Sequence, residues 1–239
     1  MNTIVSIPDT HEHRLCVKHL YGNFKKRHPG ENLKEAMWKA VRCTAMVEFN
    51  KAMENLKNIN EVDWKEMSEH VVGTWSRAGF SAYTCCDLQV NNMCEAFNSA
   101  IVDIREHAVI SLVDGLKRYM IDRIVKLRDY MLRYDGQICP MINKLLDKSK
   151  KEAEGWFPNW SGDRGYARFT VYNGTYSYVV NLGENSCAYG KWDLSDISYP
   201  HAIACIWYNQ KNPNDYVAHW YRLVHSLPSF YFILVYKTH

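Results

Sequence analysis

Near residue 156 the apolar pattern of this chain changes its period, and that change limits what the chain can fold into. Upstream, Leu33, Trp38, Val41, Ala45, Phe49, Met53 and Leu56 recur at helical spacing. Val109, Leu112, Val113, Leu116, Met120, Ile124, Leu127 and Met131 step by three or four and predict a long helix over 109–133. Asp114–Arg118, Asp122–Lys126 and Asp129–Arg133 are acid-before-base pairs one helical turn apart along it. Shorter helices are predicted over 62–72 and 141–151. Pro29-Gly30 breaks the chain, and Asn32 sits three residues before Glu35, the spacing of a capping box.

Downstream the pattern changes to β-rich runs. ArgPheThrValTyr (168–172) and ThrTyrSerTyrValValAsnLeu (175–182) flank Asn173-Gly174, a strong hairpin signal. Residues 156–163 read as an aromatic loop, and short helices are expected over 200–208 and 214–222. The fold class is therefore α+β: a mainly helical region followed by a small hairpin-plus-helix module.

Composition narrows the function classes. Apolar residues make up 47% and charged residues 23%, a globular mixture that excludes wholesale disorder. The net charge of +3 is compatible with nucleic acid but does not demand it. No apolar run reaches the roughly 18 residues of a membrane helix, so no membrane partner is expected. The first residues lack the basic start and apolar core of an export signal, so an intracellular setting is expected. The eight cysteines then read as thiols or metal ligands rather than a disulfide framework. No small-molecule substrate is indicated.

Three motifs carry possible chemistry. Cys16 and His19, three apart on a predicted helix, share a face and offer two ligands to one metal; the competing reading is helix packing with a basic flank. Glu95, in AsnAsnMetCysGluAlaPheAsn (91–98), is either a metal-binding carboxylate or the third helical residue of a box capped by Asn92. Cys187 lies just after the hairpin and His201 at a predicted helix start, the two places that a small zinc fold ties together.

Taken in order, HisArgLeuCysValLysHisLeuTyrGlyAsnPheLysLys, AsnAsnMetCysGluAlaPheAsn, GlyTrpPheProAsnTrpSerGlyAsp, TyrValValAsnLeu, TrpAspLeu and ProHisAlaIleAla resemble the C-terminal part of a plant Mutator-like transposase of the MuDR type, over residues 11–222. The resemblance implies an RNase H-like DDE transposase with a helical insertion, then a SWIM-type zinc finger, and a nuclear location. It places the family's Cys-x-x-His signature on Cys16 and His19 and its last catalytic carboxylate on Glu95. It divides the chain into an RNase H-like remnant (1–30), a helical region (31–155), a SWIM-like module (156–225) and an unrelated apolar tail (226–239).

Two departures shape the functional expectation. The family's two upstream aspartates have no match here, and Asp9 lies too close to the signature to replace one. One carboxylate cannot hold the ion pair of DDE chemistry, so strand transfer is not expected. In the finger, Cys187 and His201 match the first and last ligands, whereas Tyr189 and Tyr199 stand at the other two positions. Neutral tyrosine is a poor zinc ligand beside thiolate or imidazole. Cys205, one turn after His201, is the remaining candidate for a third ligand. Zinc binding is implied by resemblance and expected to be weak or lost, leaving 183–205 loosely held while Trp192, Leu194, Ile197 and Ile206 keep Cys187 near His201. Tyr189 and Tyr199 are expected to fill the vacated volume.

The expected object is thus a transposase-derived, catalytically inactive protein, or alternatively a domesticated DNA- or protein-binding module. Lys18, Lys25, Lys26, Arg27 and His28 form its candidate basic patch, against the reading of a solvated face; DNA association through it would be weak and non-specific. The tail from Leu227 places Phe230, Tyr231, Phe232, Ile233, Leu234 and Val235 together without a charge and reads as an aggregation hazard outside the family module.

Overall fold

The computed structural model describes residues 12–174 and 176–223; the segment 1–11, with Asp9, and the tail from 224 lie outside the described residues. The chain is α+β. Among the described residues, those up to Val90 together with Ser149–Tyr216 form one compact unit, and Asn91–Lys148 with the chain from Val217 form another.

The first unit begins with α1 (Val17–Arg27), α2 (Glu31–Arg42), α3 (Met46–Ile59), α4 (Glu61–Ser68) and the single turn α5 (Val72–Trp75). Their apolar faces close on Val17, Phe24, Met37, Val41, Leu56, Met67 and Trp75. Helix α2 starts at Glu31, with Gly30 as a cap that makes no side-chain bond. Asn32 is therefore already inside the first turn, and the capping box does not form. Asn60 does cap: its side chain accepts from the Val62 amide at 2.9 Å.

The apolar series from 33 to 56 is split between α2 and α3 by an extended break at Cys43–Ala45. The cause lies far along the chain. Thr44 Oγ1 donates to the Tyr189 carbonyl, and Gly190, at φ +79°, approaches Thr44 so closely that a Cβ would meet its carbonyl oxygen at 2.7 Å. A continuous helix could not make this contact. The helix expected over 62–72 likewise stops at Ser68, and the chain restarts at α5. There Gly73 and Gly79 pack backbone to backbone.

The same unit contains a four-stranded antiparallel sheet in the order β1 (Phe157–Trp160), β2 (Arg168–Asn173), β3 (Tyr176–Asn181), β4 (Ser186–Cys187). The β2–β3 hairpin turns where the Asn-Gly pair predicts, with Gly174 at φ +57°. Residues 157–160 correct the loop reading: they pair with 169–172 as an edge strand. An edge tolerates Pro158, whose missing N–H would weaken a central strand. Asp163 fixes the connection to β2 by accepting from Trp160 Nε1 at 2.8 Å and from the Gly165, Ala167 and Arg168 amides. These bonds to the charged form hold its carboxyl below the usual range.

Helices α10 (Lys191–Ser195) and α11 (Pro200–Tyr208) follow, with Pro200 at the first position of α11, where no amide partner is lost. Phe169, Val171, Val180, Leu182, Trp192, Ala202 and Ile206 make the core between sheet and helices. In place of a helix over 214–222 there are two 3-10 turns, Pro213–Tyr216 and His219–Tyr221.

The second unit holds α6 (Asn92–Ala100), α7 (Val102–Arg105), α8 (Val109–Leu132) and most of α9 (Pro140–Ala153). Asn91, not Asn92, is the cap residue of α6, and its side chain makes no capping bond. Helix α8 matches the predicted span to within one residue, and Asp114 pairs with Arg118 along it. Ile138 bridges Arg222, and Leu223 N donates to the Gln137 carbonyl at 2.8 Å, so the chain returns to this unit after leaving the sheet module.

Candidate functional site

Cys187 ends the sheet on β4, and His201 occupies the second position of α11. The sheet and helix pack with Cys187 Sγ 3.8 Å from His201 Nδ1. Both residues are buried, His201 with 5% of its surface exposed. Cys187 and His201 are therefore adjacent, although 14 residues separate them.

Three aromatic rings enclose the imidazole. Trp156 meets it edge-on at 4.2 Å between centroids, Tyr178 at 4.6 Å and Tyr189 at 4.9 Å. Tyr178 also contacts Trp156 and Tyr189, so the rings touch one another. Burial supplies much of their stabilisation, and tilted ring pairs add about 0.5–1.5 kcal/mol each. The polar ends of these residues are met from the helical part of the unit: Tyr178 Oη donates to Glu48 Oε1 at 2.6 Å, and Thr44 holds the Tyr189 carbonyl.

Burial governs the electrostatics. It lowers the His201 imidazole to about 4, so the ring is neutral at pH 7. It raises the Cys187 thiol to about 11 and pushes the Cys205 thiol up as well. Cys205 spends its S–H on the His201 carbonyl of its own helix at 3.3 Å.

A test of the donor set against zinc gives a mixed answer. Ligands at about 2.3 Å (sulfur) and 2.0–2.1 Å (nitrogen) around a tetrahedral ion stand roughly 3.5 Å apart, so the Cys187–His201 spacing suits two ligands of one ion. A structural site needs four. Among the described residues, Cys205 does not join the pair as a three-ligand group. Tyr189 and Tyr199, the other two positions singled out in the sequence, supply no such ligand: Tyr189 packs on the imidazole, and the Tyr199 ring lies 4.3 Å from Lys191 Nζ. The residues present do not fit a structural zinc. The segment 183–205 is nevertheless not loose: Trp192, Leu194, Ile197 and Ser198 are buried. Apolar packing, underestimated from the ligand count, holds it.

The remaining candidates are placed as follows. Cys16 caps α1 and His19 sits in its first turn, with the sulfur and a ring nitrogen within 4.8 Å. Glu95 lies half-buried in the first turn of α6, in the other unit. The basic patch is partly neutralised: Arg27 Nε donates to Glu66 at 3.0 Å, and its Nη2 pairs with the other oxygen of that carboxylate. His28 Nε2 meets Glu66 at 2.8 Å, and its Nδ1 pairs with the buried Asp63. Lys18, Lys25 and Lys26 are exposed.

The residues of this site absent from the sequence reading are Trp156, Tyr178, Thr44 and Glu48. For Tyr178 a signal existed: it alternates with Val180 along β3 on the buried face. Thr44 and Glu48 gave none, because the contact joins segments some 130–145 residues apart. No family model, curated protein or solved structure matches this chain.

Proposed function

We propose that this chain is a transposase-derived, non-catalytic protein whose SWIM-like module is held by packing rather than by zinc. The observation that carries the proposal is the Cys187–His201 pair enclosed by Trp156, Tyr178 and Tyr189. Paired end-ligands at zinc-like spacing are what a degenerate finger would leave behind, and the aromatic enclosure replaces the missing half of the site. Of the family's catalytic carboxylates, this sequence matches Glu95. A two-ion mechanism needs several such groups around one centre to activate the attacking oxygen and stabilise the leaving one.

DNA association on this reading is weak and rests on Lys25 and Lys26, since Arg27 and His28 are engaged by α4 carboxylates. The test is incubation of the purified protein with Mg²⁺ or Mn²⁺ and DNA bearing terminal inverted repeats. No nicking is expected, and any retention of DNA falls steeply with salt. Nicking that disappears in Glu95→Gln, or sequence-selective binding that survives about 0.2 M salt, overturns the proposal.

A further inference from the structure

The sheet of the first unit has two unlike faces. On one, Phe169, Val171 and Val180 pack into the core with Ala202 and Ile206 of α11. The alternate positions of β2, with the residues paired to them, make the other face. An antiparallel sheet with one solvated face ordinarily sets polar side chains there. Here Phe157 and Tyr172, direct cross-strand partners, stand on it 57% and 48% exposed. Their rings are stacked, with 5.7 Å between centroids and 27° between planes. Two residues further along, Thr170 pairs with Asn159 on one side and Val179 on the other. Two more along β2 comes Arg168, also exposed.

We propose that this face binds single-stranded DNA, with unpaired bases stacked on Phe157 and Tyr172 and a backbone phosphate paired with Arg168. The occupant follows from the mixture of side chains. A base is apolar on its two flat faces and polar along its edges, and this surface sets two half-exposed rings beside an amide and a hydroxyl. A wholly apolar protein surface would leave Asn159 and Thr170 without partners. Duplex DNA offers phosphates but keeps its bases stacked on one another, so the rings favour unpaired strands. Arg168 lies four residues from Tyr172, about 13 Å along the strand. Its guanidinium is always charged and its fork matches a phosphate, so one strand can meet both the rings and the charge. The β2–β3 register is fixed by the Asn173-Gly174 turn and the β1 edge by pairing to β2, so the rings are held in place before any ligand arrives. This contact is separate from Lys25 and Lys26 of α1 and does not depend on where the chain came from.

The test titrates the full chain into a fluorescein-labelled oligo-dT of about a dozen nucleotides and reads anisotropy at low salt. Binding is expected, with the matched duplex bound at least about tenfold more weakly. Phe157→Thr/Tyr172→Thr keeps strand-forming residues at two exposed sites and is expected to weaken oligo-dT binding by about tenfold or more. Arg168→Gln is expected to reduce the salt slope by about 0.7. Lys25→Gln/Lys26→Gln is expected to stay within about twofold of the unmodified protein, which separates this face from the α1 lysines. Ultraviolet cross-linking of a bromouracil-substituted oligonucleotide to the unmodified protein is expected to mark Phe157 or Tyr172, a result that does not depend on any variant folding. No oligo-dT binding at about 0.1 mM protein overturns the proposal. So does an affinity of Phe157→Thr/Tyr172→Thr within about twofold of the unmodified protein, or a duplex bound as tightly as the single strand. Cross-links found only outside the sheet overturn it as well. Oligo-rU bound more than about tenfold tighter than oligo-dT overturns the assignment to DNA.

Discussion

His201 is enclosed on three sides by rings and on the fourth by the Cys187 sulfur, and its neutrality at pH 7 follows from that enclosure. The consequence is a specific acid sensitivity. In the unfolded chain an imidazole takes up its proton near pH 6.5, whereas in the fold it does so only near 4. As pH falls between those values the unfolded state binds a proton that the folded state refuses, and stability drops by about 1.4 kcal/mol per pH unit. Above 6.5 the group has no effect, and below 4 the loss levels off. Urea unfolding of the protein and of His201→Phe across this range is expected to show the steeper fall in the unmodified protein; equal slopes would place the ring in a wetter site. A second residue-scale case is His28, whose ring meets the buried Asp63 on one side and Glu66 on the other. Burial pushes the Asp63 carboxyl up, more than the imidazole brings it down. His28→Ala strands that carboxylate and is expected to cost about 3 kcal/mol. Asp63→Asn, which keeps an acceptor and removes the charge, is expected to stay within about 1 kcal/mol of the unmodified protein. Urea midpoints of the two variants check the pair, and equal losses would contradict it.

Among the elements, those set by local sequence were legible and those set by distant contacts were not. Helix α8 repeats its apolar spacing over whole turns, α11 opens on Pro200 at its first position, and the β2–β3 hairpin carries its own turn residues, so each lies within about a residue of its expected place. The break between α2 and α3 was invisible, because Ala45 and Phe49 continue the helical spacing and the reason to stop is Tyr189-Gly190. Strand β1 was missed for a similar reason: PheProAsnTrp has little strand character until 169–172 pairs with it. In the candidate site, Cys187 and His201 were legible as members of a pattern, while the rings that surround the imidazole depend on how the sheet lies on α11. Gly190 tests the element-scale account. Its φ of +79° and the 2.7 Å approach to the Thr44 carbonyl leave no room for a side chain. Gly190→Ala is expected to lower stability by about 2 kcal/mol, read from the urea midpoint. A change under about 0.5 kcal/mol would mean that the loop and the α2–α3 break are not clamped together.

At the scale of the molecule, the two cores of the first unit, one among α1–α5 and one between the sheet and α11, are apolar and need no ion to close. A small zinc module that loses two of four ligands loses most of a stabilisation of roughly 10–16 kcal/mol. It keeps its shape only if burial offsets that loss. On the proposed reading, burial of Trp192, Phe169 and Ile206, all nearly inaccessible, is what offsets it. If the proposed reading holds, the module stands without zinc, and its ligand set rather than its fold is what has been lost. The direct measurement is zinc per chain after dialysis against a mild chelator, for the protein as it stands and for Tyr189→Cys/Tyr199→Cys. Well under one ion per chain is expected for the first and about one for the second, whose Cys₃His set is complete. Stoichiometric, chelator-resistant zinc in the unmodified protein, lost on Cys205→Ala, would contradict it.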